Sequence, residues 1–280
     1  MPVFDTPEPI SVTIDVAAGD IRVSASDRDT TIVEVRPTDA SRKEDVRAAE
    51  QTRVEHADAR LLIDGPKAGS SLVRRTGSID VTIELPARSD VHGTLGAGDF
   101  HTDGWLGDCR CKTGAGRIRL DRADTLDLKV GAGEIVVDRA MGHAEVAVGA
   151  GDVRLRELGG SAVVKNSTGS TWVGEARGDL RIKAATGDIV VDVAHAGVRA
   201  KSANGDVRLG DVARGSIVLE TQLGDLEVGV REGTTAWLDV DARFGRLHNS
   251  LDTAAAPDPS AEIVEVRART SIGEIVIRRP

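Results

Sequence analysis

Residues Gly149–Leu155 read GAGDVRL: small residues around a glycine, an acid, then apolar positions alternating with a charged one. Taken alone, the stretch fits a phosphate loop, a calcium turn or a corner between strands. Its recurrence decides among them. The chain repeats it as GAGDFHT, GAGRIRL, GAGEIVV, GAGDVRL, STGSTWV, ATGDIVV, ANGDVRL and QLGDLEV, with AAGDIRV upstream and RFGRLHN and SIGEIVI downstream. The anchoring glycines are Gly98, Gly116, Gly133, Gly151, Gly169, Gly187, Gly205 and Gly224, separated by 18, 17, 18, 18, 18, 18 and 19 residues. Gly245 and Gly273 follow at intervals of 21 and 28. Self-similarity at a fixed short period is the mark of a solenoid.

Each period carries two apolar alternations. Two and four residues after the glycine stand Ile118 and Leu120, Ile135 and Val137, Val153 and Leu155, Ile189 and Val191, Val207 and Leu209. Seven and five residues before it stand Leu126 and Leu128, Ala144 and Val146, Ala162 and Val164, Leu180 and Ile182. Period-two alternation rich in Val and Ile reads as half-buried strand. Two strands and two turns in about 18 residues make one flattened coil. Stacked about 4.8 Å apart, such coils align equivalent residues in ladders. The glycine then supplies a positive φ at the corner. A phosphate loop runs from strand into helix, whereas every copy here runs into a strand. A calcium repeat takes the form GGxGxD, which is missing, and the residue after the anchor, acidic at Asp99, Glu134, Asp152, Asp188, Asp206 and Asp225, is Arg117, Ser170 or Arg246 elsewhere, which a metal ladder would not tolerate. The repeat reads as architecture.

Composition narrows the function. The net charge is −9 and the pI near 5.2, against phosphate neutralisation and against an anionic membrane surface. Six aromatics (Phe4, Phe100, Phe244, Trp105, Trp172, Trp237) and no Tyr leave little for stacking on bases or sugars. The stretch MPVFDTPEPISV has no basic-then-apolar pattern, and no run is long enough to span a bilayer, so a cytoplasmic setting is expected. Two cysteines, Cys109 and Cys111, make no disulfide framework.

Outside the repeat, residues 9–36 read as two strands joined by AAGD and then a third. SRKEDVRAAEQTRVE at 41–55 reads as a helix, with Ser41 and Glu44 at capping-box spacing and Val46, Ala49 and Val54 as its apolar stripe. ARLLIDG and GSIDVTIELPA return to strand. Residues 1–95 are therefore expected to form an N-terminal β cap, 96–250 the regular coils, and 251–280 a loop around DTAAAPDPSAE followed by strands that close the other end, all in one continuous domain. A cap keeps an open coil end from pairing with other chains.

The phrase VTIELPARSDVHGTLGAGDF followed by many G-[DE]-[IV] coils resembles a bacterial family. Its members are called putative adhesins of unknown function, or toast-rack β-solenoids. The resemblance implies a β-solenoid, a link with envelope-stress membrane proteins, and no established catalytic residues.

The candidate chemistry is sparse. Cys109 and Cys111 fall in inward register and read as two small core residues, because a structural zinc site needs four ligands. The six histidines share no metal or triad spacing. Lysine recurs four residues before the anchor at Lys112, Lys129, Lys165, Lys183 and Lys201, interrupted by Ala147. This column is a candidate strip for an acidic partner or an anionic polymer, in competition with plain solvated lysines on a mixed face. Trp172, three residues after its anchor, should point outward between Arg154 and Val190, with Val136 beyond, as a candidate contact patch.

The expectation is an all-β solenoid of about nine coils, roughly 40 Å long from the stacking distance, with an N-terminal β cap and one short helix. It acts as a non-catalytic scaffold or interaction module with a protein partner, without cofactor or metal, nucleic acid or membrane insertion. Two other readings compete with it. A polysaccharide-cleaving β-helix enzyme would need clustered acids, a groove and aromatic sugar platforms, and the aromatics are missing. A surface adhesin would need an export signal.

Overall fold

The alternation of Val, Ile and Leu with charged residues becomes strand after strand, because β-branched side chains pack well on a pleated, half-buried surface. The computed structural model describes residues 2–66, 77–251 and 262–280. These residues are all-β apart from one helix, Lys43–Gln51. They fall into two compact units, Met1–Met141 and Gly142–Pro280. Each unit is a stack of parallel β-coils.

In the second unit, Ala144–Ala150, Ala162–Thr168, Leu180–Thr186, Val198–Lys201 and Gly215–Leu223 stack in parallel on one sheet. Val153–Leu158, Thr171–Ala176, Ile189–Ala194, Val207–Val212 and Leu226–Val230 stack on the other. The inward register is as expected. Val146, Val164 and Ile182 lie side by side in neighbouring strands, each fully buried. Each such side chain contributes roughly 1.5–3 kcal/mol of burial.

A column of buried polar side chains sits three residues before the anchors and serves the turns. Asn166 donates from Nδ2 to the carbonyls of Gly151 (3.1 Å) and Gly169 (2.9 Å), Thr221 to Gly205 (3.1 Å) and Thr270 to Gly224 (3.0 Å). The corner carbonyls thus keep partners where water is excluded.

In the first unit the two strands of a coil merge into single long ones, Phe100–Ala115 and Ile118–Ala132, bending without a turn between them. Ser11–Ala18 is sandwiched between Arg60–Asp64 and Asp90–Ala97, and Ile21–Ser26 between Ile79–Pro86 and Phe100–Ala115. Residues 11–26 are therefore a coil within the stack. The cap proper is Thr30–Pro37, antiparallel to Ile79–Pro86, with Val3–Asp5 beyond it, and Arg53–Ala57, antiparallel to Arg60–Asp64.

The helix departs from its expected start. Its N-cap is Arg42, without a side-chain cap bond, while Ser41 bonds Asp39 instead. Asp45 and Ala48 face inward rather than Val46, Ala49 and Val54, and Val54 belongs to the next strand. The reason is contact with Gly77–Ser78. Asp45 accepts the Ser78 N–H at 2.9 Å, and a Cβ on Gly77 would stand 2.2 Å from the Glu44 carbonyl oxygen.

The final strands do not close the second unit. Ile263–Ile272 lies between Gly215–Leu223 and Thr235–Phe244, and Ile275–Arg278 between Leu226–Val230 and Leu247–Asn249. The chain skips a layer and returns to fill it. The inner layer goes to the coil that can be buried on both sides: Val264, Val266, Ala268, Ile275 and Ile277 are fully buried. Arg267 and Arg278 reach carboxylates on opposite neighbours, Asp239 at 2.9 Å and Glu227 at 2.6 Å. Residues 252–261 of the expected DTAAAPDPSAE loop lie outside the described residues. No helix among the described residues is long and apolar enough to cross a membrane.

Candidate interaction face

All eight anchoring glycines, Gly98 to Gly224, take positive φ between 126° and 144°. The acid that follows has its own task. Asp152 accepts the Ser170 N–H (2.9 Å), Asp188 that of Asp206 (2.9 Å), Asp206 that of Asp225 (2.8 Å) and Asp225 that of Glu274 (2.7 Å). Asp20 and Asp99 do the same in the first unit. Each carboxylate satisfies a corner amide of the next coil, a charge-assisted bond. Arg117 and Ser170, which lack the carboxylate, still donate their own backbone N–H to Asp99 and Asp152 of the preceding coil. With the carboxylates so occupied, adding calcium or a chelator is expected to leave the melting temperature unchanged within about 1 °C in a thermal scan, since a native-state ligand must raise it. A rise of several degrees would restore the metal reading.

The lysine column exists as a ladder in the second unit. Lys165 is opposite Lys183, Lys183 opposite Lys201, and Lys201 opposite Glu220. In the first unit Lys112 is opposite Lys129. Their environments differ. Lys129 pairs with Asp127 at 2.9 Å, Lys165 with Glu145 at 3.0 Å and Lys201 with Glu220 at 2.6 Å. Lys183 makes no ion pair among the described residues.

Two residues upstream on the same face, Arg181 stands opposite Arg199. Neither has an ion-pair partner among the described residues. The adjacent strands Leu180–Thr186 and Val198–Lys201 thus present a two-by-two array of Arg181, Lys183, Arg199 and Lys201. Paired strands lie about 4.8 Å apart and same-face neighbours about 7 Å apart. From the sequence only the lysines stand out, on a mixed face, and Arg199 was missed. Its signal was Arg at the same offset from consecutive anchors, six residues before Gly187 and Gly205. Beside the array runs a groove of about 470 Å³ lined by Arg181 and Arg199, by their ladder neighbours Val163 and Val218, and by His143 and Asp179.

Trp172 points outward between Arg154 and Val190, as its register requires. It is not a free patch, however. The indole lies over Gly174, whose added Cβ would touch the ring at 3.1 Å, and Nε1 donates to Asp192 at 3.2 Å. The ring is half-buried because Gly174 leaves it a seat. Near it, Glu175 is engaged by Arg177 (3.1 Å) and His195 (3.0 Å). Burial pulls the Glu175 carboxyl upward, but Arg177 and then His195 outweigh it and hold the group below its usual range.

Cys109 and Cys111 are both buried, with sulfurs 3.7 Å apart. Burial first, then the neighbouring Cys109, pushes the Cys111 thiol well above its ordinary value. The thiolate is the reactive form. Both thiols are therefore expected to resist thiol reagents in the native state and to react within seconds once the chain is unfolded. Rapid labelling of the native chain would overturn their assignment as core residues. No group of three or more His, Cys, Asp or Glu side chains among the described residues is placed to hold a metal ion.

Three solved structures cover the chain almost entirely at low identity, each described as a putative adhesin. The protein from Parabacteroides merdae ATCC 43184 is 11% identical, covering 98% of this chain and 94% of its own, with a TM-score of 0.43. That from Parabacteroides distasonis ATCC 8503 is 16% identical, covering 100% and 95%, with a TM-score of 0.39. That from Bacteroides fragilis NCTC 9343 is 13% identical, covering 99% and 95%, with a TM-score of 0.35. No curated protein matches the chain. Residues 60–215, more than half of the 280, match the family model described as Toastrack DUF4097, and the chain belongs to that family.

Proposed function

We propose that this chain is a non-catalytic binding module that engages an acidic segment of a protein partner through the face formed by Arg181, Lys183, Arg199 and Lys201. One observation carries this reading. In a chain of net charge −9, three of these four clustered cations have no carboxylate partner among the described residues. Unsatisfied like charges on adjacent strands oppose each other by a few tenths of a kcal/mol per pair, a cost that an anionic ligand removes. The rigid sheet holds the array without the entropy loss of ordering a loop. Family resemblance supports an envelope-stress setting on the cytoplasmic side as part of the same proposal.

A fluorescent ten-residue polyglutamate peptide is the probe. Its binding, read by anisotropy, should weaken at least tenfold in the triple variant Arg181→Glu, Lys183→Glu, Arg199→Glu, and should fall steeply with salt. Arg208→Glu, on the opposite sheet, should leave it within twofold. Absent binding, or equal loss in both variants, overturns the assignment.

A further inference from the structure

The two ends of the coil stacks are finished differently. In the first unit the outermost strands, Ile79–Pro86 and Arg60–Asp64, are covered by the antiparallel strands Thr30–Pro37 and Arg53–Ala57, with the helix against Ser78. In the second unit the outermost strand, Thr235–Phe244, pairs with Ile263–Ile272 on one side and with no strand among the described residues on the other. Among the described residues, ten residues of backbone edge stand open there. Long open edges are usually blunted by charge, proline or a cover, because they pair with other chains.

The side chains agree with the backbone. Ile217 and Val266 are fully buried, yet Leu238, the next rung of their ladder, is half-exposed. Leu226 and Ile275 are fully buried, yet Leu247, the next rung, is 50% exposed. Around this open cross-section stand Trp237 (66% exposed), Phe244 (70%), Ile263, Ile272 and Leu223. Leu223, Ile272 and Phe244 are direct ladder neighbours at the corner, where earlier coils of the same unit carry Ala150, Thr168 and Thr186. Most of the large exposed apolar side chains of the described residues gather at this one end. Apolar surface so concentrated marks an interaction site.

The geometry points to this end as the interface with a second copy of the chain, joined edge to edge and related by a two-fold axis. An occupant must offer a free strand edge of matching length together with inward apolar side chains from two sheets. The same end of another copy offers both. Thr30–Pro37 and Arg53–Ala57 cover the corresponding strands of the first unit, which offers no such edge. Pairing of two identical edges about a two-fold axis uses both edges up, so association closes at two.

Antiparallel pairing of Thr235–Phe244 with its own copy sets residue c+k opposite c−k, so inward side chains always meet inward side chains. Charge agrees with this at one register: centring on Ala242 sets Asp241 of each copy against Arg243 of the other, whereas centring on Asp241 would set that carboxylate against its own copy. A coil end about 33 Å long, with sheets about 10 Å apart, has a bare cross-section of about 330 Å² per copy, about 660 Å² over both partners, to which exposed side chains such as Trp237 and Phe244 add, the size of a weak, concentration-dependent interface. This inference uses a different surface from the cationic face and stands independently of it.

Sedimentation equilibrium of the full chain from about 1 to 100 μM tests it. A reversible monomer–dimer equilibrium is expected, with no larger species. The double variant Leu238→Lys, Phe244→Glu should weaken dimerisation at least a hundredfold while keeping a cooperative melt by circular dichroism. If that variant fails to fold, Phe244→Glu alone, at an exposed side chain, should weaken it at least tenfold. Val3→Glu, an exposed apolar site at the capped end, should leave it within twofold. A chain monomeric at 100 μM, open-ended oligomers, or a dimer insensitive to Phe244→Glu overturns the inference.

Discussion

Gly187→Ala is expected to lower the stability of the chain by about 3 kcal/mol or more, one of the largest effects available to a single methyl group. Two costs combine. The backbone at Gly187 has φ +131°, a region that residues with a Cβ rarely adopt. The added Cβ would also stand 2.1 Å from the carbonyl oxygen of Gly169, directly beneath it in the stack. A backbone oxygen in a pinned corner cannot move away without breaking the Gly187 N–H bond to Asn204 and the amide bonds of the neighbouring coils.

Gly233→Ala separates the two terms. Gly233 also has positive φ, 76°, but nothing lies within 4 Å of its would-be Cβ. Its replacement should cost only the conformational term, about 1 kcal/mol. Thermal and denaturant unfolding measure both. A loss below about 1 kcal/mol at Gly187 would mean that the corner does not need glycine, and the architectural account of the repeat would fail.

Ile182→Asp is the second large effect, expected at about 4 kcal/mol or more and sufficient to prevent folding at 37 °C. Ile182 is fully buried between Val164 and Ala200 in the inward ladder. An aspartate there would lose its water and find only apolar neighbours. Coils contact chiefly their neighbours, so the damage should spread outward from coil 180–194. One residue along the same strand, Lys183→Ala should cost less than about 0.5 kcal/mol, because the lysine is exposed and pairs with no carboxylate among the described residues. Comparable losses at the two positions would show that the sheet register is wrong by one residue.

The sequence by itself determined the coil. Anchors spaced about 18 residues apart, with apolar side chains at fixed offsets, admit only one inward face, because a strand's side chains alternate with period two. Gly169, Gly187, Val164, Ile182 and both cysteines stand where that arithmetic puts them. The Asp turn was legible as architecture, although its bond to the next coil's amide was not, since the acceptor and donor are a whole period apart.

The tertiary structure alone decided the order of the layers. Parallel stacking is satisfied equally well whichever coil lies next to which, so local pattern cannot say that 263–278 slides beneath 235–249, or that 11–26 enters the stack. Burial and the reach of Arg267 and Arg278 to carboxylates on opposite sides made that choice. Arg199 beside Arg181 follows from a common offset to consecutive anchors, but the seat of Trp172 does not: it depends on Gly174 having no side chain and on Asp192 accepting from the indole. Offsets along a chain specify which way a residue faces; what meets it there depends on neighbours that the offset does not contain.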